Sequence, residues 1–269
     1  MVLKDEWDEA TLRRAVVQRL KSLEAAGVTQ LGRSSVREAI QPVVVDDDLP
    51  PHPAVAAEST EGAISLGGNV VEAPEMSLEG RKQQLTILAT EVNRCTRCQE
   101  LVENRNRTVF GVGNPAARLV FFGEAPGADE DRQGEPFVGR AGQLLNDILT
   151  KGMGLKREDV YIMNVIKCRP PGNRNPTSQE AENCRGFFEQ QFELIDPEFI
   201  CCLGAIAATT LLDTTQSIGR LRGRFHEYHG KKVLATYHPA YLLRNSSAKK
   251  EVWKDIQLLM AEMGLKRPG

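Results

Sequence analysis

Four of the six cysteines in the sequence have a spacing that suits a metal centre. Cys95 and Cys98 form a C-x-x-C pair, and Cys168 and Cys184 follow much later in the chain. Four thiolates bind either a structural zinc ion or an iron–sulfur cluster, provided that the fold brings the distant pair to the close one. A C-x-x-C pair alone is also typical of a redox dithiol. The residue types therefore predict a metal site at these four cysteines and leave its metal open.

The other two cysteines, Cys201 and Cys202, lie in the apolar run 199–203. A short continuous apolar run favours a buried strand, and unpaired cysteine is a common core residue. We therefore expect both thiols in the hydrophobic core.

Polar and small residues follow three predicted strands in loops that could form one site. These loops are 123–127, the segment that begins at Asn164, and the segment 238–240, which begins with His238. In an α/β sheet, ligand-binding residues sit at the C-terminal ends of the parallel strands. The three loops are therefore predicted to face one crevice.

Short apolar segments alternate with helical patterns between residues 78 and 263, which predicts an α/β fold. The predicted strands are 119–122, 160–165, 199–203 and 232–237, and the predicted helices are 78–94, 140–151, 178–194, 205–212 and 247–263. This alternation favours a three-layer α/β/α architecture with a central, mostly parallel sheet of about four strands.

The first 77 residues differ in composition from the rest. Residues 4–26 show the helical spacing of an amphipathic helix, with Gly27 as a stop signal. Residues 40–76 are rich in Pro, Ala, Gly, Ser and acidic residues, which is typical of a flexible linker. We therefore expect an N-terminal helical segment at 1–39, a linker at 40–77 and one folded domain at 78–269. The N-terminal segment could recruit a protein partner.

The charge is divided unevenly along the chain. The net charge is −2, but residues 1–80 carry 7 Lys/Arg and 14 Asp/Glu, so the remaining residues have a net charge of +5. A mildly basic domain is compatible with a polyanionic partner. No long apolar run or basic leader is present in the sequence, which predicts a protein that is neither secreted nor membrane-spanning. We also expect a monomer without a membrane partner. We expect it in the cytoplasm, associated with the nucleoid in a prokaryote.

Four motifs between residues 84 and 263 resemble those of family 4 uracil-DNA glycosylases. They are GEAPGADED at 123–131, PFVGRAG at 136–142, NVIKCRPP at 164–171 and HPA at 238–240. The four cysteines also have the spacing of that family. The resemblance implies a 4Fe–4S cluster at these cysteines. It also implies an enzyme that releases uracil from single- or double-stranded DNA and so begins base excision repair.

The resemblance assigns three residues to a pocket for an extruded base, which the chemistry of a glycosylase requires. Phe137 matches the aromatic platform, and Asn164 matches the amide that pairs with the edge of uracil. His238 matches the histidine that donates to O2 of the base as negative charge develops. Ala125 and Gly127 belong to the same base-binding loop. Without the motifs, Phe137 could be a core aromatic, Asn164 a turn residue and His238 a structural histidine.

The carboxylate that positions the attacking water is less clearly marked. Other uracil glycosylases have an aspartate where this chain has Ala125, so the role falls to Glu124, to Glu130 or to neither. The resemblance places Glu130 near C5 of the base, where it would exclude the methyl group of thymine. An acidic run such as 129–131 is alternatively a solvated loop.

DNA contacts are expected from basic residues around the crevice and from an apolar wedge. The predicted phosphate-binding residues are Arg140, Lys167, Arg169, Arg222 and Arg244. The segment 241–244 resembles the loop that inserts into the gap left by the flipped base, with Leu242 as the wedge. It could alternatively be the approach to the last helix.

Two other functions share part of this sequence pattern. A related branch captures uracil covalently and carries an inserted basic loop with a nucleophilic histidine, but residues 165–184 contain no histidine. A cluster-bearing DNA-binding module without hydrolysis is the second alternative, and Ala125 is its main support. The matches at Glu124, Phe137, Asn164 and His238 favour the glycosylase.

Overall fold

The computed structural model describes residues 76–266, and six strands within them form one sheet. The strands are β1 (Val112–Gly113), β2 (Leu119–Gly123), β3 (Tyr161–Asn164), β4 (Phe199–Leu203), β5 (Phe225–Tyr228) and β6 (Lys231–Thr236). The α-helices are α1 (Leu78–Asn93), α2 (Gln99–Asn104), α3 (Ala128–Gln133), α4 (Arg140–Asp147), α5 (Ser178–Ile195), α6 (Ala205–Leu211), α7 (Ile218–Leu221), α8 (Pro239–Arg244) and α9 (Lys249–Glu262). The segment predicted at 1–39 and nearly all of the predicted linker lie outside the described residues.

The strand order across the sheet is β1-β3-β2-β4-β6-β5. The four central strands are parallel, and β1 and β5 pair antiparallel at the two edges. The central strands are the four that the apolar runs predict, so the α/β fold with a mostly parallel sheet is confirmed. The two edge strands were not predicted. β1 has only two residues, and β5 has a mixed sequence without a continuous apolar run.

Side chains of the central strands alternate between two hydrophobic cores, one on each face of the sheet. Val120 and Phe122 of β2 point to a core shared with α1, α5 and α6. Leu119 and Phe121 point to the other core, which α4 and α9 complete. Helices therefore cover both faces, as a three-layer arrangement requires. None of the described helices is both long and apolar enough to cross a membrane.

The parallel register brings the predicted site loops to one edge. Gly123 at the end of β2 pairs with Asn164 at the end of β3. On the other side of β4, β6 ends at Thr236, and His238 follows as the N-terminal cap of α8. Because these strands are parallel, the loops after β2, β3 and β6 emerge on the same side of the sheet.

A capping box fixes the start of α5. The Thr177 hydroxyl accepts a hydrogen bond from the backbone N–H of Glu180 (3.1 Å), and the Glu180 carboxylate accepts one from the backbone N–H of Thr177 (2.8 Å). Arg174 donates to both oxygens of the same carboxylate. The segment between Cys168 and α5 is therefore held by bonds at its C-terminal end.

Candidate active site

The three predicted loops meet at one crevice of about 380 Å³. The predicted site residues that line it are Glu124, Ala125, Gly127, Glu130, Phe137, Asn164, His238 and Arg244. Arg174 and Tyr241 line it as well. A crevice of this size at the C-terminal ends of parallel strands is the expected place for a small planar ligand.

Asn164 carries an unsatisfied polar atom at the floor of the crevice. Its side chain lies at the end of β3 and is 1% exposed, and its Oδ1 is buried without a hydrogen-bond partner. A buried acceptor that lacks a donor costs about 1–3 kcal/mol. This amide is therefore set up for a ligand that donates a hydrogen bond to Oδ1.

Gly123 allows Asn164 and Phe137 to approach each other. A Cβ at position 123 would lie 2.3 Å from Oδ1 of Asn164 and 2.6 Å from Cε2 of the Phe137 ring. No side chain fits at such distances. The glycine at the end of β2 is thus required for the close approach of the amide and the aromatic ring.

Phe137 is buried, and its backbone has a φ of 55°. The left-handed region is unusual for an aromatic residue and marks a constrained position. The ring centroid lies 5.5 Å from that of His238, with the two rings tilted by 33°. Phe137 and His238 therefore form adjoining walls of the crevice.

A hydrogen bond fixes the tautomer of the His238 ring, and burial keeps the ring uncharged. Nδ1 accepts a hydrogen bond from the backbone N–H of Ala240 at 3.1 Å, so the proton of the neutral ring is on Nε2. Burial lowers the pKa of His238 to about 4, and the positive charge of Arg244 acts in the same direction. At neutral pH this residue is an uncharged ring that offers an Nε2–H donor.

Glu124 and Glu130 have different environments. Burial raises the pKa of Glu124, whose carboxyl group lines the crevice. Glu130 accepts hydrogen bonds from the backbone N–H groups of Gly127 (3.1 Å), Val138 and Gly139 (both 3.0 Å). Both oxygens of Glu130 are thus used to join the loop after β2 to the loop before α4. This geometry makes Glu130 a loop-holding residue and does not support its predicted role at C5 of the base.

Three predicted DNA contacts have side chains that are buried or already paired within the fold, which does not favour these roles. Lys167 is 1% exposed and donates through Nζ to the backbone carbonyl of Asn164 at 2.8 Å. Arg222 is 14% exposed, and its guanidinium is paired with the buried Asp255 at 2.9 Å. Leu242 is 2% exposed and packs in the core that α4 and α9 share.

The remaining candidates for DNA contact lie on the surface. Arg140 is exposed in the first turn of α4, and Arg244 is exposed at the crevice. Arg169 is half-buried and donates to the side chain of Asn173. Around the buried Leu242, the exposed apolar side chains are those of Tyr241 (40% exposed) and Leu243 (42%).

Arg174 lines the crevice and was not predicted from the sequence. Its guanidinium donates to Glu180 and to Glu100, at 2.7 and 2.8 Å, and so joins the crevice wall to helices α5 and α2. The signal in the sequence was its place in the loop that follows β3 and precedes Cys184, which has to run beside the end of the sheet. Its partner Glu100 is 74 residues away, which no local pattern reveals.

The four predicted metal ligands lie in one region. Cys168 and Cys184 are buried, and Cys95 and Cys98 pack against the same core. Burial raises the pKa of Cys184 to about 11, and the neighbouring Cys168 and Cys98 thiols act in the same direction. Burial also raises the pKa of Cys168, whereas the hydrogen bond from Arg105 lowers it.

Two side chains donate hydrogen bonds to these sulfurs. Nη1 of Arg105 lies 3.0 Å from Sγ of Cys168, and Nδ2 of Asn183 lies 3.3 Å from Sγ of Cys98. Among the described residues, no group of three or more His, Cys, Asp or Glu side chains is spaced to hold a single metal ion. The two predicted core thiols, Cys201 and Cys202, are fully buried in β4, and burial raises their pKa values far above the usual range.

The sequence also matches the model of a known protein family. The model of the uracil DNA glycosylase superfamily matches residues 110–257, which is more than half of the chain. The chain belongs to the uracil DNA glycosylase superfamily.

Relatives within this superfamily are similar over most of their length. A type-4 uracil-DNA glycosylase of Thermotoga maritima is 48% identical over 169 residues, which are 62% of this chain and 87% of the relative. The type-4 enzyme of Archaeoglobus fulgidus is 43% identical over 69% of this chain and 96% of its own length. That of Saccharolobus solfataricus is 41% identical over 64% of this chain and 83% of its own length.

The part of the chain that matches the uracil DNA glycosylase model contains every residue of the crevice named above. It also contains Cys168 and Cys184, whereas Cys95 and Cys98 precede it. The superfamily match therefore covers the crevice, and half of the proposed metal site lies outside it.

Proposed function

We propose that this protein is a type-4 uracil-DNA glycosylase, which hydrolyses the N-glycosidic bond of uracil in DNA and leaves an abasic site. Membership in the superfamily and the type-4 names of its relatives support this activity. The observation that carries it is the buried, unpaired Oδ1 of Asn164 beside the ring of Phe137. Uracil has the complementary edge and a flat face of the right size.

Recognition follows from the two ends of the Asn164 amide. Oδ1 accepts a hydrogen bond from N3–H of uracil, and Nδ2 donates to O4. Cytosine has an acceptor at N3 and a donor at position 4, so it would leave the buried Oδ1 unpaired. A site built in this way rejects the wrong base strongly, because its own polar groups then lose their partners.

Reaching this amide requires that the nucleotide leaves the base stack. The extruded uracil stacks on Phe137 and has its O2 edge toward His238. The exposed Arg140 and Arg244 and the half-buried Arg169 are proposed to hold the flanking phosphates. Tyr241 and Leu243 are better placed than the buried Leu242 to fill the gap in the duplex.

Bond cleavage separates charge between sugar and base. Water adds to C1′ of the deoxyribose as the C1′–N1 bond breaks, and the bonding electrons leave with uracil. The Nε2–H of neutral His238 donates to O2, where the negative charge accumulates. The Glu124 carboxylate is proposed to stabilise the positive sugar and to take the proton of the attacking water.

We also propose a 4Fe–4S cluster on Cys95, Cys98, Cys168 and Cys184. Four thiols from two distant segments lie in or against the same core, and the N–H groups of Arg105 and Asn183 are directed at two of the sulfurs. Hydrogen bonds of this kind are typical of iron–sulfur sites, and a set without histidine or carboxylate ligands fits the cluster. When bound, the cluster supplies a covalent link between the segments before β1 and after β3. The residues of the crevice carry out the hydrolysis.

The test is an incubation with a uracil-containing oligonucleotide, in which free uracil is quantified and abasic sites are cleaved with alkali. Multiple turnover is expected, and it should fall by about 100-fold or more in His238→Ala and in Asn164→Ala. The control is Asn104→Ala, because Asn104 is exposed on α2 and does not line the crevice.

Other outcomes separate the alternative functions. A denaturation-resistant adduct between protein and DNA would mean covalent capture. Binding of uracil-containing DNA without any release of uracil would mean a binding module, and the proposed activity would be wrong. Visible absorbance together with stoichiometric iron would support the cluster, whereas stoichiometric zinc would contradict it.

A further inference from the structure

Arg157 contacts the backbone of Phe137 from outside the crevice. It lies in a short 3₁₀ turn, Arg157–Asp159, just before β3. Its Nη1 donates to the backbone carbonyl of Phe137 at 3.2 Å and to Oδ1 of Asn146 at 3.1 Å, and its Nη2 donates to the carbonyl of Pro136. Arg157 itself does not line the crevice.

Phe137 has a backbone conformation that needs such support. Its φ of 55° lies in the left-handed region, which an aromatic residue adopts only when its surroundings enforce it. Gly142 of α4 approaches the same peptide from another side, and a Cβ there would lie 1.8 Å from the Phe137 carbonyl oxygen. The carbonyl of Phe137 is therefore enclosed between a glycine and a guanidinium.

We propose that Arg157 is a positioning residue for the aromatic platform of the base pocket. It fixes the two carbonyls of Pro136 and Phe137 and the side chain of Asn146, and the ring of Phe137 is thereby held against Gly123. This inference rests on the proposed function, since it assigns Phe137 the role of stacking on uracil. Arg157 acts through Phe137 and touches no reacting atom.

The chemistry of the side chain is specific to arginine. The planar guanidinium offers several N–H donors in a fixed fork, so one group can bind two successive carbonyls and an amide oxygen together. A lysine ammonium at the end of its flexible stem cannot keep these directions. Burial lowers the pKa of Arg157, and the carboxylates of Glu135 and Glu130 act in the opposite direction and favour the charged guanidinium.

The experiment is a double-mutant cycle between Arg157→Met and Phe137→Ala, with uracil release measured under single-turnover conditions. Arg157→Met is expected to lower the rate by about 100-fold, the cost of a small misplacement in an active site. In the Phe137→Ala background the same change should cost less than about 3-fold, because the platform is already gone. The rate of uracil release by Arg157→Lys should lie between the rates of the wild type and Arg157→Met.

The matched control is Arg185→Met. Arg185 on α5 is also half-buried and donates to a backbone carbonyl, that of Thr210, but it does not line the crevice. Arg185→Met should have a lower thermal stability than the wild type and the same single-turnover rate of uracil release. Equal losses of rate from Arg157→Met with and without Phe137 would overturn the inference, since a general loss of stability has that signature.

Hydrogen exchange gives a readout that needs no activity. The amides of Val138 and Gly139 follow the Phe137 peptide and donate to Glu130. In Arg157→Lys they should exchange at least about 10-fold faster, while the amides of α5 keep their wild-type rates. Unchanged exchange at these two amides would overturn the inference. If the wild-type protein releases no uracil, but Arg157→Lys still exchanges these two amides faster than the wild type, the proposed function alone is refuted.

Discussion

At the level of single residues, the crevice contains polar groups whose arrangement suits a ligand but does not stabilise the free protein. Oδ1 of Asn164 has no partner, and the ring of His238 is kept neutral by its surroundings. The unpaired Oδ1 costs free energy in the unliganded protein, and the buried His238 ring costs free energy only when the pH falls below its ordinary pKa of 6.5. Function and stability should therefore respond differently to substitutions at these two positions.

Replacement of Asn164 by alanine tests this separation. The substitution removes a buried acceptor that has no donor, so the free energy of unfolding should be unchanged or higher by up to about 1 kcal/mol. Urea unfolding of Asn164→Ala beside the wild type gives the comparison. A loss of more than about 2 kcal/mol would mean that the amide is bonded in the free protein.

The pH dependence of stability follows from His238. Its folded pKa of about 4 is below the ordinary value of 6.5, so the unfolded chain binds more protons between these values. The contribution of the neutral ring is present above pH 6.5 and is lost as the pH falls toward 4, by on the order of 1 kcal/mol or more. Urea unfolding at pH 7 and pH 4.5 should show a smaller acid loss in His238→Gln than in the wild type. Equal losses in both proteins would contradict the assigned pKa.

At the level of elements, the site depends on how closely β2 and β3 bring their C-terminal ends together. Gly123→Ala would place a methyl group 2.3 Å from the Asn164 amide and 2.6 Å from the Phe137 ring. We expect a loss of about 1–3 kcal/mol in the free energy of unfolding, as for other overpacked sites. Uracil release should fall further than the stability explains, because the platform and the amide are both displaced.

The matched control for that change is Gly186→Ala on α5. A Cβ at Gly186 has nothing within 4 Å, and its position is in the interior of a helix. The alanine should raise stability by roughly 0.5–1 kcal/mol and leave uracil release unchanged. If Gly123→Ala behaved like Gly186→Ala in thermal unfolding and activity, the close approach described above would be wrong.

Elements with a strong local pattern were predictable from the sequence. The apolar runs of β2, β3, β4 and β6 gave both their positions and the parallel arrangement, and the loops after three of them gave the crevice. The edge strand β5 was missed because its sequence, Phe-His-Glu-Tyr, becomes a strand only by pairing with β6. Tertiary pairing decided that element.

Charged side chains were the least predictable part of the site. Arg222 and Lys167 are residue types that usually lie on the surface. In the structure, however, Arg222 is paired with Asp255, 33 residues later, and Lys167 is fully buried. Glu130 lies in an acidic run that is typical of a solvated loop, but its carboxylate accepts hydrogen bonds from three backbone N–H groups. The partner of a charged side chain is set by the fold and is not visible in local spacing.

At the level of the whole molecule, the proposed cluster and the crevice share one segment. Cys168 and Cys184 enclose the loop that contains Pro170, Asn173, Arg174 and Asn175, and all four of these residues line the crevice. Loss of the cluster is therefore expected to weaken the fold and the crevice wall together, because metal–ligand bonds contribute to folding directly.

Cys168→Ala tests that dependence. The purified variant should lose most of its iron and its visible absorbance, and its thermal transition should move down by several degrees or more. The control is Cys201→Ala, since Cys201 is fully buried in β4 and lies in the core on the opposite face. This control should keep its iron even if its stability falls. Full iron content in Cys168→Ala would contradict the proposed ligand set.

The antiparallel edges of the sheet have a consequence for the behaviour of the protein in solution. An open strand edge offers unpaired N–H and C=O groups to another chain, and long apolar edges are sites of aggregation. Here one edge strand has two residues, and the other carries His226 and Glu227 and is followed by Lys231 and Lys232. The four apolar parallel strands, whose sequences are the most prone to aggregation, lie between these edges. The edge strands therefore shield them from pairing with neighbouring molecules at high concentration.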